Sequence, residues 1–156
     1  MAYAGRYATT RAKLAFYLAR KVRERGWDGD GPPPIDELVE RMAALGYVDD
    51  RSFATARAAS LGRRGYGERR IGLALRAAGI DDEDSASARA MARETAWAAA
   101  LRFAERRRIG PFAAAAPDRV GREKAMAALL RAGHPADLAR RLVNAGPGEI
   151  PEEDGA

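Results

Sequence analysis

Gly67, Ile71, Leu75 and Gly79 stand four residues apart, and the pattern returns 54 residues later as Gly121, Ala125, Leu129 and Gly133. A third version, Thr10, Leu14 and Leu18, opens the chain, but its closing Gly26 comes one helical turn later than the spacing predicts. A step of four keeps side chains on nearly one face of an α-helix, so each set reads as a helix with an apolar seam and a stop. A repeat of this kind, with further helices between its copies, restricts the chain to a serial architecture. Units so small cannot each enclose a full core, and neighbours must share apolar faces. The predicted fold is all-α: an elongated, curved array of three tandem three-helix repeats over residues 1–48, 49–92 and 93–146. A disordered acidic tail is expected over 147–156.

The remaining elements follow from local signals. Met1 to Ala8 reads as the last turns of a truncated opening helix, and Thr9 or Thr10 caps the next one. Pro34 suits the first turn of a helix whose apolar face is Ile35, Leu38, Val39, Met42 and Leu45, with Gly46 as its stop and Tyr47 packing back on it. Asp49 and Asp50 supply caps and favourable charge for the following helix, where Ala54 and Ala58 offer close contacts. Asp81 to Asp84 start another helix, but residues 85–92 provide only alanines and Met91 for packing, so this segment is expected to be weakly anchored. Trp97, Leu101 and Ala104 mark a helix running to about Arg108. Two more carry Met126, Leu129 and Leu130 to Gly133, then Leu138, Leu142 and Val143 to Gly146. At these spacings Phe53, Trp27 and Trp97 read as core residues. His134 reads as an ordinary residue between two helices.

Charge is distributed unevenly. The formal net charge is +5, yet residues 51–76 carry seven arginines and one carboxylate, Glu68. A basic field of this kind favours polyanions or acidic protein surfaces. The candidate binding residues are Arg57, Arg63, Arg64, Arg69, Arg70 and Arg76, together with Tyr66, held between two glycines. There is no cysteine and a single histidine, which excludes thiol chemistry and the common metal clusters. No signal-peptide or membrane-span pattern is present, so a cytoplasmic protein that does not engage membranes is expected. No P-loop or paired-carboxylate constellation with an evident base occurs, and no catalytic, cofactor or metal site is assigned.

Two consecutive segments carry a resemblance. Gly46-Tyr47-Val48-Asp49-Asp50-x-x-Phe53-Ala54 is followed by Arg64-Gly65-x-Gly67-x-x-x-Ile71-x-x-x-Leu75 and then Gly79-Ile80. In residue type and order they resemble the central repeat of the RecX family of RecA regulators. Weaker similarity runs from Thr10 to Leu142. Gly46, Tyr47, Asp49, Asp50, Phe53, Gly67, Ile71, Leu75 and Gly79 form the structural signature. Ala78 departs from the family pattern, where a lysine or arginine often precedes the Gly-Ile pair.

The resemblance implies a monomeric protein that binds the RecA filament on single-stranded DNA, lies along its groove, and limits filament extension, strand exchange and ATP hydrolysis in recombination and repair. Single-stranded DNA and, secondarily, double-stranded DNA are the nucleic-acid partners it implies. The alternative is a small basic helix-turn-helix regulator, which predicts sequence-specific duplex binding, usually as a dimer.

Overall fold

A computed structural model describes residues 8–153. Among them the chain forms eight α-helices and no strand: α1 (Arg11–Arg25), α2 (Ile35–Ala44), α3 (Asp50–Arg63), α4 (Glu68–Ala77), α5 (Asp82–Glu94), α6 (Ala96–Arg107), α7 (Arg119–Arg131) and α8 (Ala136–Asn144), with one 3₁₀ turn at Gly110–Phe112. The truncated opening helix expected over Met1 to Ala8 lies outside the described residues except for Ala8, which is not helical.

Three apolar clusters follow one another along the chain. Leu14, Val39, Met42 and Val48 form the first. The second joins Ala54, Ala58, Leu61, Ile71, Leu75, Ala88 and Ala92 from α3, α4 and α5 with Ile80 from the connector between α4 and α5. Trp97, Phe103, Leu129, Leu138 and Leu142 lie in the third, built from α6, α7 and α8. Tyr66 packs against both the second and the third. Cores arranged in series rather than merged into one are what a tandem helical array requires.

Helix starts reveal how the units join. Thr10, Asp49, Asp81 and Asp118 cap α1, α3, α5 and α7, each accepting a hydrogen bond from the backbone three residues on. Helix α4 has no such cap, because Gly67 at its start has no side chain. Carbonyls from the end of α7 cap it instead, with Gly67 N–H donating to Ala132 O at 2.8 Å and Arg69 N–H to Gly133 O at 3.3 Å. The negative end of one helix therefore sits on the positive end of another. At the other end of α4, Thr10 Oγ1 donates to Ala78 O at 2.6 Å. The three repeat-related helices α7, α4 and α1 thus run head to tail in one column.

The column explains the unequal lengths of these helices. Helix α4, blocked at both ends by its neighbours, has 10 residues. Helices α1, with 15, and α7, with 13, each extend at their outer end. Gly26 arrives late for this reason: among the described residues no neighbouring unit stops α1 there.

Four expectations are corrected. Residues 85–92 are firmly held, because Ser85, Ala88 and Ala92 are buried and α5 makes the most extensive contact with α3, against its buried Ala54 and Ala58. Small side chains bring the two backbones close, and Arg89 on α5 adds an ion pair to Glu68 on α4 at 2.6 Å. Trp27 is not a core residue. It remains 46% exposed, with its Nε1–H donated to Gly31 O at 3.0 Å within its own connector. Asp50 is buried and accepts Arg11 N–H at 3.0 Å, so it ties α3 to the start of α1 while Asp49 alone caps α3. Residues 147–153, read by composition as disordered, turn back onto the third unit. Gly148 N–H donates to Pro111 O at 2.8 Å and the Arg141 guanidinium to Glu152 O.

Glycine is required at the α4–α7 junction on steric grounds. A Cβ at Gly67 would lie 2.5 Å from Gly133 O, whereas one at Gly62 in α3 meets nothing within 4 Å. Gly67→Ala is expected to lower stability by about 1–3 kcal/mol through forced separation of the helices. Gly62→Ala should raise it by about 0.5–1 kcal/mol through helix propensity. Urea unfolding of the two variants checks the pair.

Candidate partner-binding face

The arginines singled out from sequence are set by helix ends. Arg57 lies midway along α3, Arg63 is its last residue and Arg64 its C-cap; Arg69 and Arg70 stand in the first turn of α4 and Arg76 in its last. All six are exposed. Cations at the ends of α3 and α4 suit the helix dipole, but at the start of α4 it opposes Arg69 and Arg70, at a cost of about 0.3–1 kcal/mol each. Their placement there is not explained by the stability of α4.

Among the described residues none of the six is in an ion pair. Nearby arginines are: Arg51 meets Asp84 at 2.8 Å and Glu83 at 2.9 Å, and Arg89 and Arg93 both reach Glu68, at 2.6 and 3.5 Å. Glu68 is thereby committed towards α5 and leaves Arg69 and Arg70 without a counter-charge.

Tyr66 is half-buried and carries two of the guanidiniums, Arg64 at 5.4 Å and Arg70 at 4.6 Å from its ring centroid. Such contacts are worth about 0.5–1 kcal/mol each when exposed, enough to bias side-chain position. The Tyr66 ring stands 6.4 Å from that of Phe103, over which Arg106 and Arg107 lie at 5.7 Å. Arg102 Nη2 reaches across to Gly62 O at 3.4 Å. The basic surface therefore passes from the second unit to the third. The sequence reading, confined to residues 51–76, missed Arg102, Arg106 and Arg107, although Arg106-Arg107-Arg108 was a visible charge run. Arg57 and Arg76 stand apart from this group, Arg57 near Lys13 and Phe53 and Arg76 near Phe16 and Arg20.

His134 supports the junction from beneath. It is fully buried, and its Nε2 lies 2.8 Å from Gly65 O. A carbonyl can only accept, so Nε2 carries the proton, and Nδ1 is left without a partner. The position was legible from the repeat, because Gly133-His134 occupies the place of Gly79-Ile80. In both pairs the second residue returns a backbone hydrogen bond to the helix, Ile80 N–H to Leu75 O and His134 N–H to Leu129 O.

The signature residues are mainly structural. Gly46 and Gly79 have positive φ at helix stops, Ile71 and Leu75 are fully buried, and Phe53 packs partly buried against the second core, with the Lys13 ammonium 5.2 Å from its ring. Tyr47 is half exposed. Burial raises the pKa of Asp50, and the Arg11 N–H opposes that shift. No group of histidine and carboxylates among the described residues gathers as a metal site, and none of the helices described is long and apolar enough to cross a membrane.

Fold and surface together define a basic, tandem helical-repeat protein. Comparison with known proteins narrows the class. The model of the second three-helix domain of RecX matches residues 49–88. The regulatory protein RecX of Myxococcus xanthus (strain DK1622) is 30% identical over 153 residues, 93% of this chain and 82% of the relative. The regulatory protein RecX of Mycobacterium sp. (strain KMS) is 37% identical over 84 residues, 53% of this chain and 44% of the relative. The chain belongs to the RecX family of regulatory proteins.

Burial pushes the His134 pKa below the ordinary imidazole value, with the Gly65 hydrogen bond opposing. Below pH about 6.5 the unfolded chain therefore binds more protons than the folded one. Stability is expected to be full above that pH and to decline as pH falls below it. Since His134 is the only histidine in the chain, the loss that begins as pH falls below about 6.5 belongs mainly to this residue. His134→Gln, whose amide can still donate to Gly65 O, should flatten the slope in unfolding titrations.

Proposed function

We propose that this protein regulates RecA by binding the RecA filament on single-stranded DNA and lying along its groove, where it limits filament extension, strand exchange and ATP hydrolysis. Family membership supports the choice of RecA. The observation that carries the mode of binding is the row of exposed arginines without carboxylate partners, set among neighbours that are paired. Such guanidiniums are free for bidentate contacts to carboxylates or phosphates. Arg57, Arg63, Arg64, Arg69, Arg70 and Arg76, with Tyr66 as the support of two of them, constitute the binding face in this reading. Units joined in series can each meet a successive protomer of a helical filament, and linked weak contacts raise avidity steeply. The protein acts as a monomer in the cytoplasm, without cofactor or catalysis of its own.

Substoichiometric protein is expected to shorten filaments and to lower DNA-dependent ATP hydrolysis by RecA from the same source. No effect on either would overturn the reading. Changing Arg63, Arg64, Arg69 and Arg70 together to alanine should weaken filament binding by at least about tenfold, the equivalent of about 1.4 kcal/mol. The variant's unfolding midpoint should stay unchanged or rise, because like charges are removed from one surface.

A further inference from the structure

The basic face also displays apolar side chains that the fold does not use. Leu73 is 61% exposed and Phe16 66% exposed. The inward side of α4 is taken by Ile71, Gly72 and Leu75, so Leu73 stands on the outer side. It is four residues from Arg69 and three from both Arg70 and Arg76, spacings that make these residues surface neighbours. One turn further, Ala77 and Arg76 line a shallow depression together with Phe16 and Arg20 of α1. An apolar-and-basic strip therefore crosses the first junction of the column, from Arg69 through Leu73 and Ala77 to Phe16 and Arg20.

We infer that Leu73 and Phe16 are the apolar anchors of a protein–protein contact, and that the partner surface is an apolar pocket rimmed by carboxylates. The inference rests on the filament reading above and assigns this strip to the RecA protomer rather than to DNA. Charge complementarity specifies the rim: Arg69, Arg70 and Arg76 have no carboxylate of their own among the described residues and surround Leu73. An aliphatic side chain in that position adds nothing to binding by a phosphodiester backbone, which is recognised by charge and hydrogen bonding. At a protein interface it is the expected arrangement, an apolar centre within a polar rim. Phe16, an aromatic residue, could instead stack on a base, and the test separates that case.

Leu73→Lys and Phe16→Lys each remove an anchor and add a cation. Both are compared with the unaltered protein for binding to RecA filaments on oligo-dT and to the same oligo-dT alone. Each is expected to bind filaments about tenfold more weakly, the loss typical of a truncated interface anchor, while binding bare oligo-dT equally or more tightly. Leu73→Gln, uncharged and similar in size, should show a smaller loss on filaments. Equal or tighter filament binding by the lysine variants would overturn the inference, as would a parallel loss on bare oligo-dT. If the unaltered protein fails to bind filaments, both this inference and the proposed function fall.

Discussion

The hydrogen bond from Gly67 N–H to the Ala132 carbonyl is the contact on which the rest of the molecule depends. A helix that begins without a side-chain cap leaves its first amides unsatisfied, and burying them would cost about 1–3 kcal/mol each. In α4 this deficit is met by the last carbonyls of α7, which have the same need in reverse. Neither end is complete until the second and third units come together. The same logic, with Thr10 supplying a hydroxyl in place of an amide, joins α1 to the end of α4. Three small cores are thereby connected by hydrogen bonds to helix-end carbonyls, and helix ends of opposite polarity favour the arrangement.

This geometry also positions the arginine face proposed above to meet the filament. Arg69 donates its backbone N–H into the junction while its side chain remains outside, and Arg70 lies over Tyr66, which packs on two cores at once. Arg69 and Arg70 are therefore carried by the junction itself, not by a loop. Presentation of unpaired charge from a rigid support reduces the ordering cost of binding. It also explains how cations come to stand at the start of α4: their position follows the junction, and the carbonyls of α7 lie nearby to offset part of the unfavourable field.

Helix stops were legible in the sequence because Gly46, Gly79 and Gly133 occupy backbone conformations that other residues resist. So was the serial plan, since spacing alone showed the repeat. What spacing could not show was which groups cross between units. Asp50 looks like a second cap until α1 is placed beside it. The alanines of α5 look like poor anchors because periodicity weighs the size of a side chain, whereas close approach of two backbones rewards its absence. Trp27 fell at a helix end where a core aromatic is plausible, but its indole N–H is satisfied inside a short connector that never folds inward. His134 gave no signal in isolation and a clear one when aligned with Ile80. Much of the arginine face was legible as composition, but its separation into paired and unpaired members was not, because the carboxylates that decide it come from other helices.

Residue-resolved hydrogen exchange, on the free protein and on the protein bound to RecA filaments, tests most directly the claim that a backbone-built junction presents the binding face. The Gly67 amide should exchange as slowly as those of Ile71 and Leu75 in both states, although first-turn amides of a helix ordinarily exchange fast. Residues 63–76 should slow further only on the filament. A fast Gly67 amide in the free protein, or filament protection that leaves residues 63–76 unchanged, would contradict the account.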